Sequence, residues 1–217
     1  MLPLVVSLKK DLGKTKNKLK FSEVFSKSRS VNILSAARMF LFASRDVWFV
    51  VALPVYLATS LQWSHWQVGM LLAVWVIFYG LVQTLAPRIT GIHKGQVPDG
   101  QTAFSWSIPL TLIPLLLASL IYFRPELVWL MVIGLVFYGV LFAVNSSVHS
   151  YLIVSYARED GASLDIGFYY MANALGRLLG TVLSGWLFQM YGLAICLLVS
   201  AGMIALCSII SLALPRK

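Results

Sequence analysis

Six stretches of mostly apolar residues follow one another along this chain, near 31 to 59, 66 to 88, 104 to 123, 126 to 149, 164 to 189 and 193 to 214, with only short breaks between them. About 20 such residues cross roughly 30 Å of hydrocarbon as a helix. A helix closes its own backbone hydrogen bonds, which lipid cannot do for it. The composition agrees: 59% of the 217 residues are hydrophobic, 12% are charged, and the mean hydropathy is +0.82. No soluble domain of this size keeps such a balance. The expected fold is therefore an all-α membrane protein with six transmembrane helices in one bundle over 31–217, preceded by a basic connector over 1–30. Ser64, the cluster Gly91, Gly95, Pro98 and Gly100, then Pro125 and Gly192 fall between the stretches, as loop breakers should.

The positive charge is distributed as topology requires. Eight lysines and arginines lie in the first thirty residues, Arg88 and Lys94 follow the second span, Arg158 follows the fourth, and Arg216 and Lys217 close the chain. The alternate loops hold only Arg124. By the positive-inside rule both termini are cytoplasmic, and the net charge of +9 records orientation, not a nucleic-acid surface. The run Lys9 to Lys20 reads as a solvated connector that touches anionic lipid headgroups. The opening MLPLVVSLKK places its apolar run before the lysines, the reverse of a signal peptide, and reads as the end of a missing helix. Cys196 and Cys207 share the last span with no ligand at metal spacing, so they are expected to be small core residues. No metal, no cofactor and no catalytic nucleophile is indicated, and the chain is not expected to be an enzyme.

The charges inside the spans carry the functional reading. Arg45 and Asp46 sit in the middle of LSAARMFLFASRDVWFVVALPVYLA, with Arg38 seven residues before Arg45. Charges at that depth cost several kcal/mol, so they face a watery cavity or a partner. Seven residues are nearly two helical turns, which points Arg38 and Arg45 the same way about 10 Å apart. Two guanidiniums so placed can fork onto the two anionic ends of a small phosphate, arsenate or carboxylate. Otherwise Arg38 snorkels to the interface and Arg45 pairs with an acid on another helix. Asp46 lies about 100° round the helix from Arg45, which argues against a clean pair between them. It is either a proton carrier or the partner of Arg177.

The fifth span, DIGFYYMANALGRLLGTVLSGWLFQMYG, has two faces. Ala172, Gly176, Gly180 and Ser184 recur every four residues as a small-residue seam for close helix packing. Tyr169, Asn173, Arg177 and Thr181 recur at the same spacing as a polar line, fit either for anion binding or for a buried ion pair. Asn145 and His149 end the fourth span at the cytoplasmic mouth, where a histidine could shuttle protons or simply hydrogen-bond. Trp48, Trp63, Trp66, Trp106 and Trp129 read as an interfacial belt. The third and sixth spans, free of charge, are expected to face lipid, and the first, fourth and fifth to be cavity walls or packing seams. Three arginines against one aspartate leave two positive charges at membrane depth, to be balanced by acids of a missing half or by an anionic substrate.

The stretches KFSEVFSKSRSVNILSAARMFLFASRDVWFVVALPVYL and GFYYMANALGRLLGTVLSGWLFQMYG resemble the C-terminal half of a major facilitator superfamily permease, most closely the organoarsenical efflux permeases of the ArsJ type. The resemblance spans essentially the whole chain. It implies that residues 1–30 are the connector between two six-helix halves, that the N-terminal half or a second chain completes the transporter, and that the protein resides in a bacterial inner membrane. It further implies export of 1-arseno-3-phosphoglycerate, a doubly anionic adduct made with the help of a glyceraldehyde-3-phosphate dehydrogenase, and so a role in arsenate resistance. Arg38 and Arg45 are then candidate ligands for the two anionic ends. Superfamily permeases have about twelve helices where this chain has six, and the GPxxGG antiporter signature is absent. The competing reading is a non-transporting scaffold or inactive fragment whose glycine seam recruits partner helices.

Overall fold

The computed structural model describes residues 28–216, apart from 93, 94, 96, 125, 126, 128 and the side chain of Asp160. Residues 1–27 of the connector, with its lysine run, lie outside the described residues, as do Lys94, Pro125 and Lys217, while Ser28 caps the first helix and Arg29 and Ser30 begin it. Seven helices follow in order: α1 (Arg29–Phe49), α2 (Ala52–Thr59), α3 (His65–Ile89), α4 (Gly100–Phe123), α5 (Leu130–Tyr156), α6 (Ala162–Tyr191) and α7 (Leu193–Ser211). No strand occurs among the described residues. The six spans are thus present, the first broken into α1 and α2.

The break has a local cause. Pro54 has no N–H to give the carbonyl four residues back, and its ring crowds that carbonyl, so the helix fails at Val50 and Val51. The backbone N–H of Ala52, freed by the break, donates to Ser184 Oγ on α6 at 3.0 Å. A polar side chain from a neighbouring helix thereby satisfies a backbone group that lipid could not. At their N-termini, α3 and α4 are closed by capping boxes, Ser64 with Gln67 and Asp99 with Thr102. Gly192 joins α6 to α7 at φ +80°, a conformation that favours glycine.

Five spans, counting α1 with α2 as one, are long and apolar enough to cross a membrane. Helix α6, at 30 residues, is the longest element but falls below them in hydropathy because its polar line interrupts the apolar run. Helix α1 is the centre of the bundle. It packs most extensively on α6 and α7, and α7 in turn packs on α4, while α3 leans on α5. A core that includes Leu41, Trp48, Leu53, Phe142 and Ile204 fills the space between them.

Two expectations need correction. Helix α7 does not simply face lipid: Cys196, Leu197, Ser200, Ile204 and Cys207 are buried against its neighbours, and only an outer strip with Leu198, Leu206 and Ile209 is exposed. An uncharged helix can be interior or peripheral, so charge alone does not sort the two. Trp48 belongs to no interfacial belt. It is 0% exposed, with its ring edge-on to Tyr138 at 5.1 Å. The cysteines are free and buried, as expected.

Candidate functional site

The small-residue seam decides how close α1 and α6 come. A Cβ on Gly176 would overlap the Met39 carbonyl oxygen, and one on Gly180 would lie 2.6 Å from the Ala43 carbonyl oxygen. With no side chain at these positions, α6 lies directly on the α1 backbone, and Ser184 continues the seam to the α2 N-terminus. This close approach draws the polar line of α6 onto the charged residues of α1. In the loop before α6, the Arg158 guanidinium grips the buried carboxylate of Asp165 through both oxygens, at 3.0 and 3.1 Å, and so fixes the start of α6.

Asp46 lies 1% exposed between two arginines. Its Oδ1 accepts from Arg45 Nε at 2.6 Å and its Oδ2 accepts from Arg177 Nε at 3.2 Å. The expectation that Arg45 and Asp46 diverge is overturned. Helical periodicity fixes the direction of Cβ, but the long arginine stem curls round to the neighbouring carboxylate. The pairing of Asp46 with Arg177, one of the two alternatives, is present. Arg45 is 14% exposed and Arg177 57% exposed, so the cluster lies on an open face of the bundle.

Arg38 is different. It is 5% exposed, and no carboxylate among the described residues pairs with it. Its Nε donates to Asn173 Oδ1 at 3.2 Å, and its Nη1 donates to the Ser146 carbonyl at 2.9 Å and to Ser146 Oγ at 3.0 Å. Its Nη2 donates to no described residue. The guanidinium lies 4.1 Å from the Phe42 ring centre and 5.2 Å from that of Tyr169. Arg45 is 5.1 Å from the same Phe42 ring and 5.4 Å from Phe142. One aromatic ring thus separates the two same-face arginines, and cation–π attraction offsets part of the cost of holding both there.

Of the other expected site residues, Tyr169 is fully buried with its hydroxyl unpartnered. His149 is not at a mouth: α5 runs on to Tyr156, and the imidazole is 0% exposed with both nitrogens unpartnered. The apolar tail of the fourth span, YLIVSY, continues the helix past the histidine. Asn145 turns away toward α4, its Nδ2 donating to Ser107 Oγ at 2.7 Å. The described part of the chain shows no group of histidine, cysteine or acidic residues that could hold a metal.

Sequence reading missed Ser146, Phe42, Phe142 and Tyr79. Phe42 was within reach, since it lies four residues after Arg38 and three before Arg45 on one helical face. The others come from separate helices and carry no local signal. A hollow of about 190 Å³ among Leu57, Leu61, Trp63, Leu71, Trp129 and Met131 holds none of the arginines and is mostly apolar in its lining.

Long apolar helices that bury a positively charged, hydrogen-bonded polar seam define a multi-pass membrane protein of the transporter class. The chain belongs to the Major Facilitator Superfamily, whose profile matches residues 34–217. The six-helix bundle fits one half of a transporter of that superfamily. No curated protein and no solved structure matches the chain.

Proposed function

We propose that this chain carries a small organic anion out of the cell, coupled to protons. Arg38 supports the reading above all: a guanidinium buried within the bundle, with no acid and no partner for one of its nitrogens among the described residues. Together with Arg45, Arg177 and Asp46 it leaves a surplus of two positive charges. Such a surplus is costly in lipid unless an anion or water meets it. A dianion fits the deficit, and the resemblance to organoarsenical permeases makes 1-arseno-3-phosphoglycerate the proposed cargo, with arsenate resistance as the outcome. The adduct's maker, a glyceraldehyde-3-phosphate dehydrogenase, is the functional partner.

In this mechanism Arg38 takes one anionic end, with Asn173 and Tyr169 holding its guanidinium in place. The other end draws Arg45 and Arg177 from Asp46, which then exchanges a proton. His149, buried beside this network, is the second candidate proton carrier. The exposed faces of α3 and α6, with Trp66, Met70, Val74, Leu178, Val182 and Trp186, pack against another six-helix half, supplied by a preceding segment or a second chain. The protein lies in the bacterial inner membrane with both termini cytoplasmic. The scaffold reading loses its main support, because Gly176 and Gly180 are already occupied by α1 of the same chain.

The test is arsenic retention in cells that form the adduct. Expression of the chain should lower retained arsenic, and Arg38→Gln at equal protein level should restore it. Retention unchanged by the unaltered chain would overturn the proposal.

A further inference from the structure

We infer that Tyr79, on α3, supplies a neutral hydrogen-bond donor to the same anion and is a specificity-determining residue of the site. The inference rests on the anion reading of Arg38 but concerns a residue from a helix to which no part in anion binding was assigned. Helix α3 buries only Val68, Trp75 and Ala86, so few contacts fix it. Trp75 does most of that: its indole N–H donates to the Leu135 carbonyl at 2.8 Å, and it packs against Gly139, where a Cβ would come within 3.1 Å of the indole nitrogen. One turn later the Tyr79 ring stacks on Trp75, 5.5 Å between centres and 11° between planes, and lies 6.0 Å from Phe142. Phe142 is the ring beside Arg45, and it touches Phe42, which underlies Arg38.

An aromatic ladder therefore links Tyr79, through Phe142 and Phe42, to the rings that flank Arg45 and Arg38. Tyr138 and Tyr169 have hydroxyls shut inside the bundle, but the Tyr79 hydroxyl is not among the buried polar atoms and bonds to no described residue. A phenol hydroxyl left open inside a span, on the aromatic ladder that leads to the arginines, is suited to an oxyanion, to which it can donate. Tyrosine adds reach and direction where a further arginine would add charge, so it selects by shape and acceptor position.

The experiment uses the full chain in lipid, with 3-phosphoglycerate and inorganic phosphate as probes and binding followed by calorimetry. Tyr79→Phe keeps the stack on Trp75 and removes only the hydroxyl. It should weaken 3-phosphoglycerate binding about tenfold or more, as loss of a hydrogen bond to a charged group does, with the melting temperature unchanged. A lowered melting temperature with unchanged affinity would mean a structural role and overturns the inference. If the unaltered chain binds and Arg38→Gln does not, yet Tyr79→Phe binds normally, the inference alone fails. If the unaltered chain binds neither probe, the anion reading fails and this inference with it.

Discussion

Arg177 and Asp46, 131 positions apart in the chain, meet through Nε and Oδ2 at 3.2 Å and tie the fifth span to the first. Asp46 spends its other oxygen on Arg45. One carboxylate therefore restrains two guanidiniums, and the seam's charge is only partly cancelled. One positive charge stays within this group, and Arg38, separated from it by the Phe42 ring, carries the second.

Asp46→Asn should lower stability by about 1.5 to 3 kcal/mol, the range for hydrogen bonds to charged groups. The Arg177 arm is the weaker contributor, since that side chain is 57% exposed and Arg45 only 14%. In a double-mutant cycle, Asp46→Asn with Arg177→Gln should cost less than the two changes summed, with a coupling of about 0.5 to 3 kcal/mol. Thermal unfolding in a fixed lipid or detergent measures it, and strict additivity would break the link drawn between the two helices.

Gly176→Ala should be severely destabilising, on the order of 3 kcal/mol, because the new methyl meets a backbone carbonyl that cannot swing aside. Gly185→Ala, where nothing lies within 4 Å, is the matched control. It should be neutral or gain up to about 1 kcal/mol from helix propensity. Comparing folded yield and melting temperature of the two proteins tests whether contact, and not glycine loss as such, governs the seam.

Ser184→Ala leaves the buried Ala52 N–H without its acceptor. The expected loss is about 1 to 3 kcal/mol, the cost of orphaning a buried donor. Ser184→Thr keeps the oxygen and should recover part of it. Hydrogen exchange at Ala52 is the direct readout: exchange as slow in Ser184→Ala as in the unaltered chain would show that this bond does not hold the kink.

His149→Leu should not destabilise the protein. The imidazole is fully buried with neither nitrogen bonded, so an apolar side chain of similar size should gain about 1 kcal/mol. The same variant separates packing from proton transfer. A stable protein whose transport no longer responds to pH assigns the proton to His149, and an unchanged pH response removes it from the mechanism.

Much of this architecture could be read directly from residue order. Six apolar runs of span length dictated six helices, because lipid leaves the backbone no partners but its own. The four-residue repeat of Ala172, Gly176, Gly180 and Ser184 announced a close helix contact, and the arginines inside the spans marked where charge would need company. Residue order left open which helix fills the Gly176 seam and which acid each arginine finds, and it put His149 at a mouth where the structure has it in the core. Those depend on groups far apart in the chain, meeting at distances of a few ångströms that no helical period encodes. Only the packing of α6 onto α1 gave Asp46 to Arg177 and left Arg38 without an acid among the described residues, while the packing of α3 on α5 set Tyr79 against Phe142. Charge pairing is a short-range effect of three-dimensional proximity, whereas burial in lipid is a property that each segment already carries in its composition.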